Sequence, residues 1–141
     1  MDNPAGEEGR TFKVATIVTN NELVRAFFSK NYTVVTTDTY LDVLCLTRDL
    51  VHRNYRLLTH PQAGSMKPNQ TPYRSIALEE GTCLDWQSLH LIENAIATTE
   101  KFFGNYKTPE WSPEAMADFR TIDLSFMTNA LQGRDIKSQT F

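Results

Sequence analysis

Phe12 to Val18 (FKVATIV) is β-branched and almost continuously apolar, which predicts a strand buried on both faces. Thr19-Asn20-Asn21 follows directly. An asparagine here caps the next helix through its side-chain oxygen, and Glu22 suits the positive first turn. That helix runs to Lys30, with Leu23, Val24, Phe27 and Phe28 as its inner stripe. Tyr32–Thr36 (YTVVT) reads as a second strand. Thr39 then caps a helix over 40–53, with Asp42 at the capping-box position and Tyr40, Val43, Leu44 and Val51 on one face. Arg56–Thr59 gives a short third strand. Strand, helix, strand, helix, strand with right-handed crossovers predicts a parallel sheet covered by helices.

The period breaks at residues 60–73, which carry Pro61, Gly64, Pro68 and Pro72 and match neither a helix nor a strand. Arg74–Glu79 is a fourth strand with Ile76 and Leu78 on one face, and Glu80-Gly81 is a turn. Asp85 caps a third helix whose stripe is Leu89, Ile92, Ile96, Thr99 and Phe103, and Gly104-Asn105 ends it. Ser112-Pro113-Glu114 opens a fourth helix, with Met116, Phe119, Ile122, Phe126 and Ala130 as its inner stripe. The expected fold is an α/β three-layer sandwich, Rossmann-like, with a mostly parallel sheet of about four strands flanked by helices. One domain covers 11–132, between a disordered leader at 1–10 and a frayed tail at 133–141.

Composition narrows the class. With 141 residues and 40% apolar content, the chain supports one core. Residues 1–10 hold no apolar run, and no later stretch approaches the roughly 18 apolar residues of a spanning helix. Cys45 and Cys83 match no metal spacing and read as reduced thiols of a cytoplasmic protein, buried as small hydrophobes. No grouping of His, Cys, Asp and Glu has ligand spacing, so neither a metal nor a cofactor is expected. The net charge of -3 argues against nucleic acid as the main partner.

That charge is unevenly spread. Between Leu50 and Leu78 there is no acid, while Arg53, Arg56, Lys67 and Arg74 are basic and His52 and His60 add titratable rings. A basic window on an acidic protein suits a specific small anion better than a polyanion. In a parallel sheet, ligands sit beyond the carboxyl ends of the strands. Thr19, Asn20, Asn21, Thr37, Asp38, Thr39, Thr59 and His60 belong there, although Asn21 and Thr39 are equally explained as caps. The proline-stiffened loop offers Gly64, Ser65, Lys67, Asn69, Tyr73 and Arg74 as further ligand-binding groups. Gly64-Ser65 is suited to an N–H nest, without the spacing of a P-loop. His60 is the candidate for proton transfer, or else a hydrogen-bonded structural histidine. The expected geometry is a single positive hollow shared by the ends of strands one and three and the loop. Trp86 and Trp111 flank helix three and pack on it, or Trp111 and Phe141 belong to a partner surface.

Three segments, VATIVTNNELV, YLDVLCLTRDLVHRNYRLLTHP and GSMKPNQTPYRS, together resemble the GrdX family over about residues 13–103. Its motif falls on Thr19, Asn20, Asn21, Asp42, Arg48, Asp49, Thr59, His60, Pro61, Gly64, Ser65, Lys67, Pro68, Asn69, Pro72 and Tyr73. Gln62 and Ala63 depart from it, and residues 108–141 extend beyond it, which makes helix four peculiar to this member. The resemblance implies an accessory role beside the glycine, sarcosine and betaine reductases of anaerobic amino-acid fermentation, and supplies no catalytic residue. Three roles follow: a holder of a small anionic metabolite, a docking module for a reductase subunit, or a small enzyme using His60 as acid/base with Lys67 or Arg74 as electrostatic clamp. Self-association into a homo-oligomer is compatible with all three.

Overall fold

The computed structural model describes residues 15–62, 67, 68 and 70–140, with side chains of the last helix as far as Gln132. The expected leader therefore lies outside the described residues, as do Gly64, Ser65, Asn69 and Phe141. Four strands, β1 (Thr16–Thr19), β2 (Thr33–Thr36), β3 (Tyr55–Leu57) and β4 (Ser75–Glu80), form one sheet. Among the described residues four helices accompany them: α1 (Glu22–Phe28), α2 (Tyr40–His52), α3 (Trp86–Asn105) and α4 (Pro113–Thr140).

The helix starts follow from their caps. Asn21 Oδ1 accepts the Leu23 N–H at 3.0 Å, Thr39 Oγ1 the Asp42 N–H at 3.0 Å, Asp85 Oδ2 the Ser88 N–H at 3.1 Å, and Ser112 Oγ the Ala115 N–H at 3.1 Å. Each satisfies an amide that the first turn leaves without a backbone partner. Helix α2 ends where Asn54 takes a left-handed φ of 74°, a conformation asparagine tolerates.

The sheet corrects the expected Rossmann-like arrangement. Its order is β2-β1-β4-β3. Only β1 and β2 pair in parallel, while β4 is antiparallel to both β1 and β3. The sheet is mixed and mostly antiparallel. The cause is the connection: parallel neighbours need a long crossover, usually a helix. Helices supply it from β1 to β2 and from β2 to β3, but the described residues between 58 and 74 contain none. The chain turns back, and β4 enters between β1 and β3.

The two central strands are buried on both faces. On one face Val18, Ile76 and Leu78 pack with Tyr40, Val43, Leu44 and Val51 of α2 and Ile92, Ala95 and Ile96 of α3. On the other, Ile17 and Ala77 pack with Val24 and Phe28 of α1 and Met127 and Leu131 of α4. Each fully buried aliphatic side chain stabilises the fold by about 1.5–3 kcal/mol. The stripe expected on α4 is displaced. Its buried face is Phe119, Asp123, Met127 and Leu131, while Ile122, Phe126 and Ala130 are exposed. Two other expectations also change. Trp86 stands in solvent instead of packing on α3, and Trp111 packs edge-on against Phe119 with centroids 5.0 Å apart. Cys83 is exposed and Cys45 half-buried, both as free thiols.

Candidate functional site

Because β4 runs against its neighbours, its first residue meets the last residue of β1, and Thr19 and Ser75 are register partners. Both side chains point to the α1/α4 face, the face of Ile17 and Ala77. Their hydroxyl oxygens lie 2.7 Å apart. Ser75 Oγ donates to Asp123 Oδ2 at 2.6 Å, and Asn21 Nδ2 donates to the same oxygen at 3.0 Å and to the Arg120 carbonyl at 2.9 Å. The Asn21 N–H donates to Thr19 Oγ1 at 2.9 Å. With the Ser75 proton committed to the carboxylate, the Thr19 hydroxyl donates to Ser75, and every dipole in the chain points at Asp123. This polar cluster joins β1, β4, α1 and α4 at one point.

Asp123 is 6% exposed. Burial pushes its carboxyl up from the ordinary value, while hydrogen bonds from Ser75 and Asn21 and the charge of Arg74 pull it down without cancelling that push. Arg74 is itself 5% exposed. Its side chain leaves β4 on the opposite face, where Nε donates to Tyr40 Oη at 3.2 Å and the guanidinium sits 5.3 Å from the Tyr40 ring centroid. Asn20 holds the backbone before β4 in place. Its Nδ2 donates to the Pro72 carbonyl at 2.8 Å, and its Oδ1 accepts the Arg74 N–H at 2.9 Å. Arg120 reaches from α4 to Tyr73, donating to Oη at 2.8 Å with its charge 5.7 Å from the ring. Between these supports lies a half-open cleft. One wall is Thr71, Tyr73 and Arg74, and the other is Phe119, Ile122, Asp123 and Phe126.

The expected site residues separate into two groups. Thr19 and Asn21 join the cluster at Asp123, Tyr73 and Arg74 line the same cleft as Asp123, and Asn20 fastens the backbone beside them. Thr59, His60 and Lys67 are engaged elsewhere. Thr59 Oγ1 accepts the Ala77 N–H at 3.0 Å, and the Leu58 and Thr59 amides both donate to the Ala77 carbonyl. Thr59 thus finishes the β3–β4 ladder. His60 is exposed, and its Nδ1 accepts the Gln62 N–H at 3.0 Å. Lys67 lies 6.0 Å from the Phe102 ring of α3, on the face opposite α4. The basic window also disperses: Arg56 pairs with Glu79, and Arg53 closes α2 at the far edge of the sheet. Gly64, Ser65 and Asn69 fall outside the described residues. Sequence reasoning missed Asp123, Ser75, Tyr40 and Arg120. The readable signal was the row Phe119, Asp123, Met127, Leu131, a carboxylate set at four-residue steps among hydrophobes.

Among the described residues, no group of three His, Cys, Asp or Glu side chains is placed to hold a metal, and no helix is long and apolar enough to cross a membrane. Fold and site together define a small α/β domain with a mixed sheet and a buried, charge-bearing polar cluster beside a cleft at the sheet's rim. The chain belongs to the GrdX-like family, whose model, described as GrdX-like protein, matches residues 16–132. That match takes in α4 as far as Gln132, so the helix expected to be peculiar to this chain, and Asp123 with it, lies within the family's extent. No curated protein and no solved structure matches the chain.

Proposed function

We propose that this protein is an accessory component of glycine-reductase type amino-acid fermentation, and that the cleft between Thr71–Arg74 and α4 holds a small anionic metabolite. Membership of the GrdX-like family supports the setting. The observation that carries the ligand reading is Arg74, a cation almost wholly removed from water at the wall of the cleft. Its charge is felt at Asp123, so an anion held beside that carboxyl meets it as well. Asp123 complements that role. An anion arriving beside it favours the neutral carboxyl, already favoured by burial, and a neutral carboxyl donates a hydrogen bond to an anionic oxygen. Binding therefore takes up a proton and strengthens as pH falls. Calorimetry with phosphate, acetyl phosphate, sulfate and glycine, at mildly acidic and mildly alkaline pH, tests this. The expected result is millimolar or tighter binding of an anion, tighter on the acid side and lost in Arg74→Met. Absence of binding by all four at millimolar concentration refutes it.

A docking module for a reductase subunit is the second reading. It is supported by Ile122 and Phe126, apolar side chains about two-fifths exposed on α4. Capture of a purified reductase subunit that survives Ile122→Ser and Phe126→Ser would remove α4 from that role. The described surroundings of His60 lend no support to an acid/base role, and we assign no reaction.

A further inference from the structure

The two edges of the sheet are finished differently. On β3 the Leu57 N–H donates to Ser88 Oγ of α3 at 2.9 Å, so a helix side chain closes that edge. On β2 the Thr33 N–H donates to the Ala15 carbonyl at 3.2 Å and the Thr37 N–H to the Thr19 carbonyl at 2.9 Å. Odd-numbered residues thus turn their backbone groups towards β1, and by alternation Val34 and Thr36 turn theirs outward. Among the described residues no strand pairs with that outer side. Sheet proteins usually protect such an edge with charge, proline or a covering element. β2 (TVVT) contains neither charge nor proline. Beside it, Tyr32 stacks edge-on with Phe28, and Phe28 with Phe27, which is 60% exposed.

We infer that β2 is a self-association edge: two copies of the chain pair their β2 strands antiparallel about a two-fold axis through Val34, giving one continuous eight-stranded sheet. The charges around the strand select this occupant and this direction. Lys30 precedes β2 and Asp38 follows it, both exposed and each four residues from Val34. Antiparallel pairing centred on Val34 brings the Lys30 end of each strand to the Asp38 end of the other, whereas parallel pairing sets like charge against like. The register also engages the backbone at its centre. Val34 faces Val34 of the second copy with both outward amides and carbonyls exchanging hydrogen bonds, and Thr36 faces Tyr32, whose own N–H is held by the Phe28 carbonyl. The contact is isologous, so it closes at two copies.

Sedimentation equilibrium of the full chain tests this. The wild type is expected at twice 16.1 kDa. Val34→Pro removes an outward N–H, along with a valine side chain packed at the margin of the core, and is expected to sediment as monomer, with its far-UV circular dichroism retained. Lys30→Glu places like charges at both ends and raises the dimer Kd by about tenfold, and adding Asp38→Lys restores it. A wild type that stays at 16.1 kDa at tens of micromolar overturns the inference. So does a dimer whose Kd responds to neither Val34→Pro nor the Lys30/Asp38 exchange.

Discussion

Replacing Asp123 separates what its charge does from what its hydrogen bonds do. Asp123→Asn keeps the shape, and its carbonyl oxygen can occupy the place of Oδ2, where it still accepts from Ser75 and Asn21. Only the charge is lost. The folded-state pKa of Asp123 is raised by burial above its unfolded value. Its contribution is therefore fully favourable below the unfolded value, near 3.8, and is lost as pH rises through the folded one. At neutral pH the asparagine variant escapes the cost of a buried charge and should equal or exceed the wild type in stability. That advantage should vanish as pH falls through the raised folded-state value, where the wild-type carboxyl becomes neutral too. Asp123→Ala is different, because it removes the acceptor. Asn21 keeps the Arg120 carbonyl and Ser75 can turn to Thr19, so relative to Asp123→Asn the loss is two neutral hydrogen bonds, about 1–3 kcal/mol together. With a urea m value of about 1–3 kcal/mol per molar, its midpoint should fall by roughly 1 M relative to Asp123→Asn. Urea unfolding of the three proteins from pH 4 to pH 8 reads both effects. If Asp123→Asn proves less stable than wild type at neutral pH, with the gap closing on acidification, the carboxylate is favoured in its charged form. Arg74 would then dominate burial, and the reasoning fails.

Two further expectations follow from local geometry. At Gly81 an added Cβ would lie 2.7 Å from the Asn54 carbonyl oxygen, which accepts the Gly81 N–H, so neither strand end can yield without losing that bond. Gly81→Ala should cost about 1–3 kcal/mol by thermal or urea unfolding, and an unchanged midpoint would show that the contact relaxes freely. In a native-state thiol titration with an aromatic disulfide, exposed Cys83 should react first. Cys45, half-buried and with its thiol pushed up by burial, should lag until denaturant is added, and equal rates would contradict that placement.

Local chemistry made much of the fold legible. Asn21, Thr39, Asp85 and Ser112 all cap the helices they were expected to open, the apolar row of α2 buries the expected face, and that of α3 does so at Ile92, Ile96 and Thr99, while Phe103 stays exposed. What escaped depends on long-range pairing. The direction of β4 was in principle readable, since residues 60–73 show no helical period and a strand without a crossover runs back. Its place between β1 and β3 has no local signature. The rotation of α4 is the same kind of problem. The stripes 116/119/122/126/130 and 119/123/127/131 both satisfy a helical period, and the purely apolar reading prefers the first. Ser75 and Asn21 decide for the second by offering two donors to Asp123, and neither lies within forty residues of it in sequence.

The inserted strand also relocates the site. In a doubly wound parallel sheet, the crevice opens between strands that leave in opposite directions, and a ligand sits beyond their carboxyl ends. Here the two strands that would flank such a crevice, β1 and β3, are held apart by β4. Ser75 fills the space beside Thr19 with its own hydroxyl, and Asn20 bonds the incoming backbone on both sides of Tyr73. The polar residues that the sequence gathers after β1 are therefore spent on fastening β4 and α4. The cleft that remains is lateral, lined by Tyr73, Phe119 and Phe126. That displacement explains why Thr19, Asn20 and Asn21 cluster without forming a phosphate cradle. It also explains why the buried titratable side chain beside the cleft is a carboxylate of the last helix.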